Sequence, residues 1–142
     1  MANPTIGFIG YGNMAQAIAE GLVNAGTISG SDIVACAAHY DKLERNAAKL
    51  GAKAVHTAAQ VAEAADVVVI AIKPYQIEAV ISPIVDKLAQ PNTIVVSIAA
   101  GWDLNKFHDL FRHSCTGINY DKIIHTVQLI YCRDNEMNLF VV

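Results

Sequence analysis

The chain has 142 residues and a formal net charge of −3 at pH 7. This length fits one ordinary domain, and the absence of a run of Lys or Arg argues against nucleic acid or an anionic membrane as partner. The composition is 54 % hydrophobic and rich in alanine, which favours helices packed on a sheet over an all-β sandwich. We therefore expect an α/β fold with a small-molecule partner.

Short apolar runs alternate with helical segments along the chain. The predicted strands, in chain order, cover 6–10, 32–38, 53–55, 66–72 and 93–99. The predicted helices between them cover 14–25, 42–50, 58–64 and 76–89. The fourth and fifth strands are apolar at nearly every position, which is typical of parallel strands covered on both faces. This order predicts a doubly wound parallel sheet, a Rossmann-like fold.

Residues with known capping preferences bound two of these helices. Capping-box spacing occurs at Asp41 with Glu44 and at Thr57 with Gln60. In each pair the first side chain is expected to precede a helix and to accept from amides of its first turn. Gly26 and Gly51 stand where helices end, and we expect a left-handed backbone conformation there.

The first strand leads into a glycine turn. Gly10, Gly12 and Ala15 match the pattern Gly-x-Gly-x-x-Gly/Ala between a strand and a helix. The first glycine permits the turn, the second lets a pyrophosphate approach the backbone, and the small third residue lets helix meet strand. The strand, turn and helix together favour dinucleotide binding over a glycine turn that serves packing alone.

The end of the second strand bears on the choice of coenzyme. NAD sites of this type place an acidic residue there to hold the ribose 2′-hydroxyl, but this chain has Ala37, Ala38 and His39. Without an acid a 2′-phosphate is not repelled, so NADP is favoured, with NAD as the alternative. His39, Lys42 and Arg45 are candidates to lie near that phosphate. A solvated helix face explains Lys42 and Arg45 equally well.

Three segments together resemble a known family. They are IGFIGYGNMAQAIAEGL at 6–22, DVVVIAIKPYQI at 66–77 and IVVSIAAG at 94–101. In wording and order they are similar to the N-terminal coenzyme domain of pyrroline-5-carboxylate reductase. The resemblance implies hydride transfer from NAD(P)H to the cyclic imine 1-pyrroline-5-carboxylate, which gives L-proline. It also implies a homo-oligomer, although the family's dimerisation segments are not found.

The resemblance carries a set of coenzyme residues onto this chain, and no catalytic residue. The pyrophosphate segment is Ile9, Gly10, Tyr11, Gly12, Asn13 and Met14. Ala71, Ile72, Lys73 and Pro74 would line the coenzyme after the fourth strand, and Ile98, Ala99 and Ala100 would lie close to the nicotinamide. Ala37 and His39 complete the set from the argument on the second strand. A solvated lysine is the alternative for Lys73, and Pro74 also serves as a strand terminator.

The sequence departs from the family towards its end. Trp102 stands where the family usually has a small or β-branched residue, and its ring would either wall or crowd the nicotinamide site. After Phe107 the family's substrate-binding segments are not found. We predict a coenzyme domain over 1–107 and a divergent tail over 108–142, with two short strands in TVQLIYC and NLFVV. Translation in a shifted reading frame would produce a similar sequence.

Other chemistry finds little support in the sequence. The three cysteines, Cys36, Cys115 and Cys132, are widely spaced and form no CxxC motif. This spacing predicts neither a disulfide framework nor a zinc site, and it favours a reducing compartment. His108, His113 and Cys115 fit no common zinc spacing, so no metal is expected. Without a signal-like start or an apolar run of membrane length, we expect the cytoplasm.

Three hypotheses follow from the sequence. The first is a pyrroline-5-carboxylate reductase chain in which this segment is the coenzyme domain. The second is a dinucleotide-binding module without turnover, because a hydride donor without a substrate pocket reduces nothing. The third is a related NAD(P)-dependent dehydrogenase, such as one that acts on hydroxy acids. Proline formation with NADPH would separate the first from the other two.

Overall fold

The computed structural model describes residues 3–114, 123–125, 130–133 and 136–139, with side chains described for 3–113. The larger sheet contains β1 (Ile6–Ile9), β2 (Ile33–Cys36), β3 (Lys53–Ala54), β4 (Val67–Ile70), β5 (Ile94–Ser97) and β6 (Ile123–His125). All its strand pairs are parallel, and the spatial order is β3-β2-β1-β4-β5-β6. This is the strand order of the Rossmann fold, and it confirms the predicted α/β class.

Helices cover both faces of the sheet. They are α1 (Asn13–Asn24), α2 (Tyr40–Ala48), α3 (Ala58–Ala64), α4 (Pro74–Ile81), α5 (Val85–Leu88) and α6 (Leu104–Ser114). A 3-10 turn precedes β2 at Gly30–Asp32, and another joins α4 to α5 at Ser82–Ile84. Within the described segments, no helix has the length and apolar character needed to cross a membrane.

The core has two parts because successive strand residues point to opposite faces of the sheet. Phe8 of β1 and Val69 of β4 belong to the cluster that includes Ala15 and Ala19 of α1. Their strand neighbours, including Ile9, belong to the cluster that contains residues of α3, α4, α5 and α6. Both faces are therefore covered, which explains why the strands are apolar at nearly every position.

The predicted helix over 76–89 is wrong in its extent. The structure begins α4 at Pro74 and ends it at Ile81, and Pro83 then lies in the 3-10 turn before α5. Proline suits the first turn of a helix because it lacks an N–H that would be unpaired there. In a helix interior its ring collides with the preceding turn, so Pro83 divides the segment.

The capping predictions have mixed outcomes. Thr57 is an N-cap as predicted: its Oγ1 accepts from the Gln60 amide at 3.2 Å, and Gln60 Oε1 accepts from the Thr57 amide at 3.1 Å. The prediction for Asp41 is wrong, because α2 begins at Tyr40 and places Asp41 inside its first turn. The N-cap there is His39, whose side chain makes no capping bond.

The left-handed stops predicted after two helices are confirmed. Gly26 has a φ of 69° and Gly51 a φ of 74°. Glycine adopts this region without the steric cost that a Cβ imposes.

The helix α6 was not predicted from the sequence. It runs across the predicted boundary between 107 and 108, and both Phe107 and Phe111 are buried in the core. After it, β6 pairs with β5, while β7 (Ile130–Arg133) and β8 (Glu136–Leu139) form an antiparallel pair. These two strands overlap the predicted tail strands, whose residues 126–129 and 140–142 lie outside the described residues. The division into domain and tail stays a prediction.

Candidate functional site

A crevice of about 500 Å³ lies where the first four strands end. Most of its lining residues come from the ends of these strands, the turns after them and the first turns of the helices that follow, and Val80 comes from the last turn of α4. They are Ile9, Gly10, Tyr11, Gly12, Asn13, Gln16, Cys36, Ala37, Ala38, His39, Lys42, Leu43, His56, Ala58, Ala71, Ile72, Lys73, Gln76 and Val80. The strand order reverses between β1 and β4, and ligands of open parallel sheets bind in the crevice at this reversal.

Backbone contacts on both sides hold the turn after β1. The Gly10 amide donates to the Cys36 carbonyl at 2.9 Å, and the Ala71 amide donates to the Ile9 carbonyl at 2.8 Å. Gly10 has a φ of 94°, and a Cβ there would lie 2.5 Å from the Ala71 oxygen. The fold itself therefore requires glycine at position 10.

Gly12 differs from Gly10 because packing does not explain it. Its φ of −78° is open to any residue, and a Cβ there would meet no described atom within 4 Å beyond its chain neighbours. It is the N-cap of α1 and lines the crevice. The missing side chain leaves the helix backbone accessible, as a bound pyrophosphate requires, so the geometry fits a dinucleotide.

The first turn of α1 is arranged to face an anion. It contains no acidic residue, and its amides lie at the positive end of the helix dipole. Gln16 donates from Nε2 to the Tyr11 carbonyl at 3.0 Å, which closes the glycine turn against the helix. Ala15 and Ala19 are fully buried, so small side chains let this helix lie close to the sheet.

The described lining of the crevice contains basic residues and no acidic ones. None of its described lining residues is Asp or Glu, whereas four are basic: His39, Lys42, His56 and Lys73. The chain as a whole has a net charge of −3, so this distribution is local. A concave site of this kind attracts anionic ligands.

The basic residues near β2 and β3 include one that the sequence analysis missed. Ala37 and Ala38 were predicted to end the second strand, but β2 ends at Cys36 and both residues follow it; they line the crevice, as do His39 and Lys42. Arg45 is absent from the described lining residues. His56 was missed, although its position just after the third strand of a parallel sheet would have indicated the same edge.

Most residues of the predicted coenzyme set lie together, and some do not. Met14 and Pro74 lie in the first turns of α1 and α4 and are absent from the described lining. Ile98, Ala99 and Ala100 follow β5 and are likewise absent from it. All the other members of the predicted set line the crevice. The roles of all these residues stay predictions.

The ring of Trp102 packs away from the crevice. It meets Phe107 edge to face at 6.0 Å between centroids, and Lys106 Nζ lies 5.7 Å from its centroid. Trp102 lines a separate cavity with residues of α4 and α6. Trp102 is therefore not among the described lining residues of the crevice, and its effect on the nicotinamide site stays a prediction.

Two ionisable groups in the crevice wall are held neutral. Burial raises the pKa of the Cys36 thiol, and a backbone hydrogen bond involving Gly10 partly offsets this effect. Burial also raises the pKa of Tyr11, and the charge of Glu20 adds to the shift. Neither group is an ionised nucleophile near neutral pH, so the geometry favours binding over nucleophilic chemistry at these residues.

The sheet order, the glycine turn and the accessible N-terminus of α1 are those of the dinucleotide-binding Rossmann class. The chain belongs to the family described as NADP oxidoreductase, coenzyme F420-dependent, which matches residues 5–101.

Curated relatives and a solved structure share this region. Over 108 residues the chain is 36 % identical to pyrroline-5-carboxylate reductase of Escherichia coli K12, covering 76 % of this chain and 40 % of that protein. Over 106 residues it is 32 % identical to the reductase of Treponema pallidum, with 75 % and 39 % covered. The structure of the Coxiella burnetii reductase matches with a TM-score of 0.71 at 34 % identity, with 78 % and 40 % covered. The chain thus spans about 40 % of the length of these relatives.

Proposed function

We propose that this chain provides the NADP(H)-binding domain of a reductase that converts 1-pyrroline-5-carboxylate to L-proline. The names of the relatives support the substrate, at 32 % and 36 % identity over the region they share. The observation that carries coenzyme binding is Gly12, since no described neighbour explains its missing side chain. When bound, the coenzyme supplies the hydride.

The residues of this chain would bind and orient the coenzyme. Amides in the first turn of α1 donate to the pyrophosphate, and Gly10 fixes the turn that presents them. Ala71 and Ile72 line the crevice beside this turn with apolar side chains. The segment 98–100 lies beside the nicotinamide in this proposal.

The proposal favours NADP over NAD because of the residues that follow β2. Ala37 and Ala38 offer no carboxylate to hold a ribose 2′-hydroxyl or to repel a 2′-phosphate. His39 and Lys42 also line the crevice, and the ammonium group of Lys42 would attract that phosphate. We expect NADPH to bind at least as tightly as NADH.

Gly12→Val tests the coenzyme site, and Gly21→Val is its matched control. Gly21 lies in α1 on an exposed face, and a Cβ there also meets no described atom within 4 Å. We expect both variants to unfold at temperatures close to that of the wild type. Only Gly12→Val should abolish NADPH binding in a fluorescence titration, and unchanged affinity would remove the coenzyme proposal.

A second assay tests the substrate. The chain is incubated with NADPH and 1-pyrroline-5-carboxylate, and L-proline is measured by chromatography. Formation of L-proline supports the reductase proposal. Binding of NADPH without turnover is the expected result for a coenzyme domain tested alone, so the decisive assay joins this chain to the second domain of the Escherichia coli relative. Formation of L-proline by that fusion would support the reductase proposal, and NADPH binding without turnover by the fusion would favour a dinucleotide-binding module.

A further inference from the structure

Two aromatic rings from different parts of the chain stack at one end of the crevice. Tyr40 is the first residue of α2, and His56 follows β3. Their ring centroids lie 3.9 Å apart with an angle of 19° between the planes. The stack joins the turns after β2 and β3, which are neighbouring strands of the sheet.

The stack holds the imidazole of His56 in a defined plane. Tyr40 is half-buried and packs against the core cluster of α1 and α2, so it is a firm support. The His56 backbone is also fixed, because its amide donates to Gln60 Oε1 at 3.0 Å. Within the described part of the chain, the ring nitrogens of His56 make no hydrogen bond, so they are available to a ligand.

The surroundings of this imidazole favour a phosphate group. His39 and Lys42, which lie on either side of Tyr40 at the start of α2, also line the crevice, and none of the described lining residues is acidic. Asp41 is exposed in the same helical turn but is not among those lining residues. The pyrophosphate is assigned above to the turn at Gly12, so this second group of basic residues matches a second anionic group of the ligand.

We propose that His56, supported by Tyr40, determines coenzyme specificity by binding the 2′-phosphate of NADP(H) together with Lys42. This inference rests on the proposed coenzyme site and extends it to a residue from the turn after β3. A phosphate monoester accepts charge-assisted hydrogen bonds from both side chains. NADH has a hydroxyl at that position and gains much less from them, which is how the pair would discriminate.

The test compares dissociation constants for NADPH and NADH in four proteins: wild type, His56→Ala, His56→Gln and Lys49→Ala. His56 is exposed, so both of its substitutions should leave the fold intact. We expect each to weaken NADPH binding by roughly tenfold and NADH binding by less than about twofold. Lys49 is an exposed cation outside the described crevice lining, and its removal should leave both constants within about twofold.

The comparison of the two coenzymes separates this inference from the coenzyme site itself. Equal weakening of NADPH and NADH would mean that His56 acts on their shared part or on the fold, and it would overturn the inference. Unchanged NADPH binding would overturn it as well. If the wild type binds neither coenzyme, the proposed function fails instead.

The support from Tyr40 has its own readout. Tyr40→Phe keeps the ring and loses only the hydroxyl, so the affinity for NADPH should stay within about twofold of the wild type. Tyr40→Leu removes the stack, and we expect it to weaken NADPH binding more than NADH binding. If Tyr40→Leu keeps the full preference for NADPH, the stack does not position His56.

Discussion

The α-carbon of Gly10 faces the carbonyl of Ala71 so closely that a Cβ would lie 2.5 Å from the oxygen. Gly10→Ala must also adopt a φ of 94°. Because both effects oppose the native turn, we expect the free energy of unfolding to fall by about 2 to 4 kcal/mol in urea denaturation. Gly21→Ala is the control and should not destabilise, since it replaces an exposed helical glycine. A loss below about 1 kcal/mol at Gly10 would contradict this close approach.

Ala38→Asp should shift the coenzyme preference. Ala38 is exposed after β2 and lines the crevice, so a carboxylate there would repel a 2′-phosphate and could accept from a ribose hydroxyl. We expect the ratio of the NADPH to the NADH dissociation constant to rise by about tenfold, as measured by fluorescence titration. Asn92→Asp adds the same charge before the amino end of β5, whereas the crevice lies at the carboxyl ends of the strands, so it should leave the ratio unchanged.

Tyr11→Phe should not destabilise the protein at neutral pH. The ring packs edge to face on Phe8 at 5.9 Å, and Phe at position 11 would keep this contact. The hydroxyl is buried without a hydrogen-bond partner in the described part of the chain. Its removal relieves a desolvation cost, so the free energy of unfolding should stay equal or rise by about 1 kcal/mol. A clear loss in urea denaturation would reveal a hydrogen bond that the hydroxyl makes.

The same phenol should give the protein a dependence on alkaline pH. Burial and the charge of Glu20 raise the pKa of Tyr11 in the folded chain, whereas an unfolded tyrosine has a pKa of about 10. The free energy of unfolding is therefore unaffected by this group below a pH of about 10. It falls as the pH rises from there towards the folded pKa, because the unfolded chain releases its proton first. Wild type should lose stability relative to Tyr11→Phe as the pH rises above about 10. Parallel pH profiles would contradict the shift.

Phe111→Ala should show how far the folded unit extends. Phe111 lies in α6 beyond the predicted limit at residue 107, and it is 1 % exposed. Removing a buried aromatic side chain should lower the free energy of unfolding by about 3 to 5 kcal/mol. Leu104→Ala on the same helix is the control, because Leu104 is 39 % exposed and should cost much less. Equal small losses would place the helix outside the core.

The sequence by itself determined the class of fold and the glycine turn. Buried parallel strands are apolar at successive positions, and helix ends carry their own chemistry, as at Thr57 and Gly51. These signals depend on residues that are close along the chain, so they can be interpreted without knowing the tertiary structure. The N-terminus of α2 is an exception, because its N-cap is His39, whose side chain makes no capping bond, and not Asp41.

The tertiary structure decided which residues share the crevice. His56 reaches it because β3 lies beside β2, and Tyr40 then fixes its ring, although 16 positions separate the two residues. Trp102 packs against Phe107 only in the folded chain. The fold also leaves no room for a Cβ at Gly10, whereas Gly12 has room for one and is explained instead by the proposed ligand. Such relationships depend on strand order and on packing between distant segments, and a local sequence pattern contains neither.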